Sequence, residues 1–267
     1  MKTLLDKPLL IKDPDYKQKI LLFDIENSPL LSYNWGIWEQ NAIEVKEEWY
    51  ILSFAYKWLG EKEVHVLALP DFRGYKKDKT NDYRLVQELW KLFNKADVLI
   101  AHNGNAFDIK KANARFLIHG MEPPNVYKSI DTLTIARRYF KLDSNKLDDL
   151  GQYLKLGRKL PHTGKHLWFG CMAGDPASWK LMKDYNKQDV VLLEKVYRKL
   201  RGWDTNQQVN MNMILGTMNN CPRCGCDQVI KAGFKYTAVN MFQTYRCLSC
   251  GHRPQGERIM RPKVELK

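Results

Sequence analysis

Apolar runs and helical periodicities alternate along the first 200 residues and then stop. Residues 20–23 are all apolar and run into Asp24-Ile25-Glu26-Asn27; a run of this length predicts a buried strand over 20–27. Tyr33, Trp35, Trp38, Trp49 and Tyr50 follow; aromatics this dense predict core or lid residues, with a base-stacking platform as the alternative. Residues 49–59 predict a second strand and 64–69 a third, closed by Pro70. The short turn between them makes the pair antiparallel. Leu85, Val86, Leu89, Leu92 and Phe93 repeat at helical spacing behind Asp82, read as the cap.

A fourth strand is predicted over 96–101, ending in the turn residues Asn103-Gly104-Asn105. A helix over 108–119 stops at Gly120, and 126–130 predicts a fifth strand. Asp131 caps the next helix, and a short one covers 146–154. Residues 157–175 are basic and rich in Gly and Pro at their start, which predicts a mobile loop. A long helix then runs over 176–200 with Pro at its first turn. The order implies an α/β fold: a mixed five-stranded sheet, antiparallel on one side and parallel on the other, flanked by helices.

The chemistry begins with Asp24 and Glu26. Two residues apart on a strand, they share a face. Two carboxylates on a buried face repel and lose hydration, and a divalent cation between them relieves both costs; two exposed acids at a strand end are the alternative. Asp108 stands at a helix start after a buried strand, where an ordinary cap is the alternative. Tyr185 and Asp189 are four apart on one face of the last helix, beside an apolar stripe; an exposed helical acid is the alternative for Asp189.

Taken together, these stretches resemble the DEDDy subgroup of 3′–5′ exonucleases, which have a ribonuclease H-like fold. Phe23-Asp24-Ile25-Glu26 is similar to the first motif of that superfamily. Asn103-Gly104-Asn105-Ala106-Phe107-Asp108 is similar to the second, especially in the proofreading domains of family B DNA polymerases. Tyr185 to Asp189 is similar to the Tyr-x-x-x-Asp third motif. The resemblance covers about residues 15–203. It implies a two-metal phosphodiester hydrolase using Mg²⁺ or Mn²⁺. Asp24, Glu26 and Asp189 would hold the ion that activates water, with Asp24 bridging to a second ion supported by Asp108. Tyr185 would orient the water. Asn103 and Phe107 would contact the terminal nucleotide, and Lys187 is a candidate phosphate contact or a solvated lysine. Asp131 reads as a cap, Asp148 and Asp149 as surface charges, and His102 and His162 as lacking a compelling spacing. The implied substrate is a single-stranded 3′ end, DNA before RNA, and a replication or repair protein is a candidate partner. An RNA-processing exonuclease, a structure-specific endonuclease and a non-catalytic adaptor are the rivals.

The last fifth of the chain has a different logic. Cys221-x-x-Cys224-Gly225 and Cys247-x-x-Cys250-Gly251 are two matching knuckles. Four thiolates so spaced suit one structural Zn²⁺ in a zinc ribbon, with redox pairs as the alternative. Cys226 is a spare thiol, and His252 is a weak substitute ligand. From 221 to 267 there are nine Lys and Arg against three acids, interleaved with aromatics; this suits nucleic acid, or else protein docking. The expected organisation is a ribonuclease H-like domain over 1–203, a linker over 204–220, and a zinc ribbon with a basic tail over 221–267. The net charge of +13 in 267 residues favours a polyanionic partner. No apolar run approaches a membrane span, so a soluble, cytoplasmic protein without membrane contact is expected.

Overall fold

The computed structural model describes residues 18–38, 41–204, 210–215 and 217–260. Residues 1–17 of the expected larger domain, the early linker at 205–209 and the basic tail at 261–267 lie outside the described residues. The chain divides into two compact units, the larger being Lys19–Leu200.

The larger unit is built on a five-stranded sheet in which β1 (Ile20–Asn27) is central. On one side β1 pairs antiparallel with β4 (Ile51–Trp58), which pairs antiparallel with β5 (His65–Ala68). On the other side it pairs parallel with β6 (Val98–Ala101), which pairs parallel with β7 (Lys128–Asp131). The mixed five-stranded sheet is therefore as the pattern implied. The sequence Val-Leu-Ile-Ala of β6 is buried throughout, as a parallel strand covered on both faces requires.

The two faces of β1 do different work. Phe23 packs edge-on against Phe93 of α1 (Tyr83–Lys95), and Phe93 packs against Phe116 of α2 (Asp108–Ile118). Asp24 and Glu26 face the other way, toward α5 (Lys165–Ala173) and α6 (Pro176–Leu200). The lone alternation in an otherwise apolar strand thus separates core from site. Between α2 and α5 come α3 (Thr132–Tyr139) and α4 (Leu147–Tyr153).

Several expectations change. Strands β2 (Leu31–Tyr33) and β3 (Glu44–Glu47) pair into a two-stranded arm, whose base is pinned by Ser28 N–H donating to the Tyr50 carbonyl at 2.9 Å. Tyr33, Trp35 and Trp38 are exposed on it, not core, whereas Tyr50 is buried. Residues 157–175 are not one loop, since α5 lies within them. Leu167 and Cys171, one turn apart, are its buried positions, and that spacing is masked in sequence by the Gly- and Pro-rich lead. Val126 is exposed, and the fifth strand starts two residues later. Asp82 makes no side-chain cap. Its buried carboxylate instead accepts from Ile51 N–H at 2.8 Å, Arg115 at 2.5 Å and His119 Nε2 at 2.6 Å, tying β4, α1 and α2 together.

The smaller unit contains a three-stranded antiparallel sheet, ordered β10 (Gln255–Met260), β9 (Met241–Cys247), β8 (Val229–Tyr236). The short helix α7 (Met211–Leu215) lies within the expected linker. No helix of the described residues is long and apolar enough to cross a membrane.

Candidate functional site

Carboxylate oxygens of Asp24, Glu26 and Asp189 lie within 4.8 Å of one another. Asp24 and Glu26 come from one face of β1, and Asp189 is buried on α6. Three acids this close, one buried and two half-buried, resist ionisation. Burial, then the neighbouring Asp189, raises the pKa of Glu26 to about 8 and raises that of Asp24 in the same direction. Burial also raises Asp189, against the pull of Lys159.

Asp108 is the first residue of α2 and is buried. Its Oδ1 accepts from the Ile25 N–H at 3.1 Å, between the two β1 carboxylates in sequence. It stands outside the trio yet adds to the repulsion on Asp24. Burial raises its own pKa to about 7, opposed by the Ile25 hydrogen bond.

Asp189 is the trio's least satisfied member. Its Oδ1 is buried with no hydrogen-bond partner among the described residues, while Oδ2 holds the Lys159 ammonium at 2.6 Å. A buried carboxylate oxygen left bare costs about 1–3 kcal/mol or more. The trio offers hard oxygen donors, an excess of negative charge and one free oxygen, so it fits a divalent cation of the Mg²⁺ or Mn²⁺ kind.

Tyr185 lies one turn before Asp189, and its hydroxyl oxygen accepts from Lys159 at 3.1 Å. Burial, then Asp189, raises its pKa above that of a free phenol, so the group stays protonated at neutral pH. Its ring is boxed edge-on by His162 at 4.8 Å and Trp168 at 6.1 Å.

Three residues to which the sequence motifs assign no role complete the surroundings. Lys159 brings the one cation bonded to the trio among the described residues; burial opposes its charge, but Asp189 and Asp24 outweigh burial and raise its pKa. Its backbone N–H donates to Asp148 Oδ1 at 2.7 Å, so Asp148 anchors this segment and is not a free surface charge. Asn186 is fully buried, donates to Asp24 Oδ2 at 2.7 Å and meets Ser53 Oγ at 3.2 Å. Trp168 Nε1–H donates to Glu26 Oε2 at 3.2 Å. An Asn beside the third-motif tyrosine, on the buried side of the last helix, is the one signal in the sequence for Asn186. Lys159 and Trp168 had no local signal, because each reaches the site from a segment read as loop.

The second-motif turn is held from below. Asn103 takes a positive φ of 66°, and its N–H and that of Asn105 donate to the Asp131 carboxylate at 2.9 and 3.2 Å. Asp131 also caps α3 through Leu133 and Thr134, so the expected cap serves the site too. Phe107 is 40 % exposed at the N-terminus of α2, and Lys111 lies 5.7 Å from its ring. Lys187 is exposed, and two residues along α6 turn it about 200° from Tyr185, away from the carboxylates. His102 is kept neutral at a pKa of about 4, chiefly by burial, and bonds Thr132 at 2.9 Å.

In the smaller unit, the sulfurs of Cys221, Cys224, Cys247 and Cys250 lie within 4.8 Å of one another. The Cys221–Cys250 and Cys224–Cys247 separations are 3.7 and 3.5 Å, far beyond a disulfide bond. Four sulfurs about 2.3 Å from one tetrahedral ion would sit about 3.8 Å apart, so this cluster fits such an ion. Each knuckle closes alike: Gly225 N–H donates to Cys221 O and Gly251 N–H to Cys247 O, with φ of 76° and 73°, which favour glycine. Cys226 and His252 stand outside the cluster.

Comparison with known proteins bears on the fold. The chain is similar in fold to the family B DNA polymerase from the hyperthermophilic archaeon Pyrobaculum calidifontis. The TM-score is 0.50 and the identity 14%, over 84% of this chain and 32% of that chain. The protein thus spans about a third of the polymerase's length. A comparison with curated proteins returned no match. The RNase H superfamily model matches residues 46–201, beginning beyond the β1 carboxylates and taking in β4 to α6. With more than half of its length matched and the mixed sheet in place, the chain belongs to the RNase H superfamily.

Proposed function

We propose that the protein is a metal-dependent 3′–5′ exonuclease that removes nucleoside monophosphates from single-stranded 3′ ends, DNA before RNA. Membership in the RNase H superfamily supports a nuclease-type hydrolase. The observation that carries the finer reading is the trio Asp24, Glu26 and Asp189 within 4.8 Å, with Tyr185 one turn from Asp189 on the same helix face.

Asp24, Glu26 and Asp189 would hold Mg²⁺ or Mn²⁺, with Asp24 and Asp108 toward a second ion. Such ions, when bound, neutralise phosphate charge and acidify water. The chain's own groups supply the rest. Asn186 and Trp168 fix the rotamers of Asp24 and Glu26 by hydrogen bonds. Tyr185, protonated and boxed by His162 and Trp168, orients the attacking water through its hydroxyl. Water gives up a proton to solvent as its oxygen bonds to phosphorus, the P–O3′ bond breaks, and the departing 3′ oxygen takes a proton from solvent. Asn103 and Phe107, on the turn held by Asp131, contact the terminal nucleotide by hydrogen bonding and stacking. The cluster of four cysteines would hold a structural Zn²⁺, and the ribbon, with Phe234 and Tyr236 exposed, would hold nucleic acid.

The test is incubation with Mg²⁺ or Mn²⁺ and 5′-labelled single-stranded DNA or RNA. A ladder shortening from the 3′ end, lost in Asp24→Ala, is expected. Internal cuts would indicate an endonuclease; intact substrate with both metals, or an unchanged ladder from Asp24→Ala, would overturn the reading.

A further inference from the structure

A second concavity lies on the same helix as the active-site tyrosine. It has a volume of about 840 Å³ and is formed where the loop at 70–79 meets the junction of α5 and α6. Phe72, Tyr75 and Trp179 line it with rings. Trp179 Nε1–H donates to the Tyr75 hydroxyl at 2.8 Å, and the two rings meet edge-on at 5.8 Å, so this wall is built and not incidental. The other side chains on its wall are Pro70, Pro176 and five cations: Arg73, Lys76, Lys79, Lys180 and Lys183. No acid lines it.

The cations are unequally engaged. Lys183 pairs with Asp71 at 2.5 Å, just outside the wall. Lys79 donates to the Ala173 carbonyl at 2.6 Å, at the C-terminal end of α5. That approach is close enough that a side chain at Gly174 would strike the ammonium, its Cβ falling 2.7 Å from Nζ. Arg73, Lys76 and Lys180 are exposed and make no ion pair among the described residues. Aromatic rings beneath a rim of free cations match a nucleotide, whose base seeks a ring and whose phosphates seek charge. An acidic peptide would satisfy the rim but leave the rings idle.

The position adds direction. Trp179 precedes Tyr185 by six residues on α6, about 9 Å along the helix. α5, which ends at this concavity, also carries Trp168, the donor to Glu26. We propose that this concavity is an accessory subsite for a nucleotide of the substrate's own strand, outside the bond being cut. A base sits against Phe72 and Tyr75, and flanking phosphates sit on Arg73, Lys76 and Lys180. The inference rests on the nuclease reading above and names where the strand continues.

The test uses the full chain and oligothymidylates of two lengths, a dinucleotide and one of about 15 nucleotides, with affinity measured without added divalent ion. The variant is Arg73→Glu/Lys76→Glu/Lys180→Glu. It is expected to weaken the longer strand by about tenfold or more and to flatten its salt dependence by about two log units per log unit, the share of three phosphates on a single strand. Binding and metal-dependent cleavage of the dinucleotide should stay within about twofold. Equal losses for both lengths, no loss for the longer strand, or a wild-type chain that binds neither would overturn the subsite. So would polyglutamate that binds wild type as tightly as the oligonucleotide does and is lost in the variant. A wild-type chain that binds the long strand through these residues yet cleaves nothing would remove the exonuclease reading and leave the subsite standing.

Discussion

The carboxylate trio and the cysteine cluster are both gathered within 4.8 Å, but they are gathered by opposite means. Asp24 and Asp189 are brought together across the whole of the larger unit, on a central strand and a 25-residue helix already fixed by a core that buries Phe23, Leu52, Leu99 and Leu193. The cysteines come from two knuckles that shape themselves locally, each with its own hydrogen bond from the Gly N–H to the first Cys carbonyl. In the first case the fold makes the site and bears its repulsion. In the second, the ribbon strands are mostly half-buried or exposed, with Cys247 buried among them, so the ion would make the fold.

Metal removal should therefore split the two regions. Stripping the cysteine cluster with a thiophilic chelator, or replacing Cys221 and Cys250 by Ser, is expected to unfold the ribbon, because an apparent binding free energy of about 10–16 kcal/mol is its folding free energy. Hydrogen exchange should show β8, β9 and β10 losing protection while β1, β4 and β6 keep theirs. Loss of protection in both regions would mean that the two fold as one.

The carboxylate region should respond in the reverse sense. Asp24→Ala removes a crowded, half-buried acid from the larger unit, and in metal-free buffer that unit should melt a few degrees higher, about 2–4 °C per kcal/mol of repulsion relieved. Cleavage should fall by about a thousandfold or more, since the several kcal/mol that bound metal contributes would be lost. A lower melting temperature, measured with the ribbon left zinc-loaded, would mean that Asp24 holds the sheet together through Asn186 and does not strain it.

Lys159 lies between these extremes. Its ammonium touches both Asp189 and Tyr185, so Lys159→Ala removes a neutralising charge and a hydrogen bond to the hydroxyl together. A drop of about 10–100-fold in single-turnover rate is expected, the range typical of groups that position metal ligands, with Lys159→Arg restoring part of it. An unchanged rate would assign the ammonium to filling the metal-free site alone.

What could be read from sequence follows the same division. The strand carboxylates, the second-motif turn and the Tyr-to-Asp helix face are local patterns, each set by a period of two or of about 3.6, and the knuckles are local in the same way. Lys159, Trp168 and Asn186 are defined by what lies across a gap, in the case of Trp168 and Glu26 one of 142 residues. No periodicity encodes such a contact. Asp82 shows the converse: a good capping residue was drawn instead to Arg115 and His119, because a buried cation needs an acid more than a helix end needs a cap. The exposed arm carrying Trp35 and Trp38 escaped for a third reason, since aromatic density signals burial only when a core stands ready to receive it.

The smallest expected effect is a slope. Glu26 moves from an ordinary value of 4.5 to about 8 in the folded chain, through burial first and Asp189 second, and Asp108 moves from 3.8 to about 7 in the same sense. A raised acid binds its proton more tightly folded than unfolded, so between those values the folded state holds more protons. The stability this confers is full below the unfolded pKa and is lost as pH rises through the folded one. With zinc in place and no other divalent ion, the melting temperature of the larger unit should therefore fall between about pH 4 and pH 8. Glu26→Gln, which cannot ionise, should flatten that fall. Saturating Mn²⁺ should do the same, because the ion takes the place of the proton and its affinity grows as the carboxylates ionise. A wild-type slope equal to that of Glu26→Gln would show that the carboxylate repulsion is relieved by Lys159 alone, and that the centre is settled without metal.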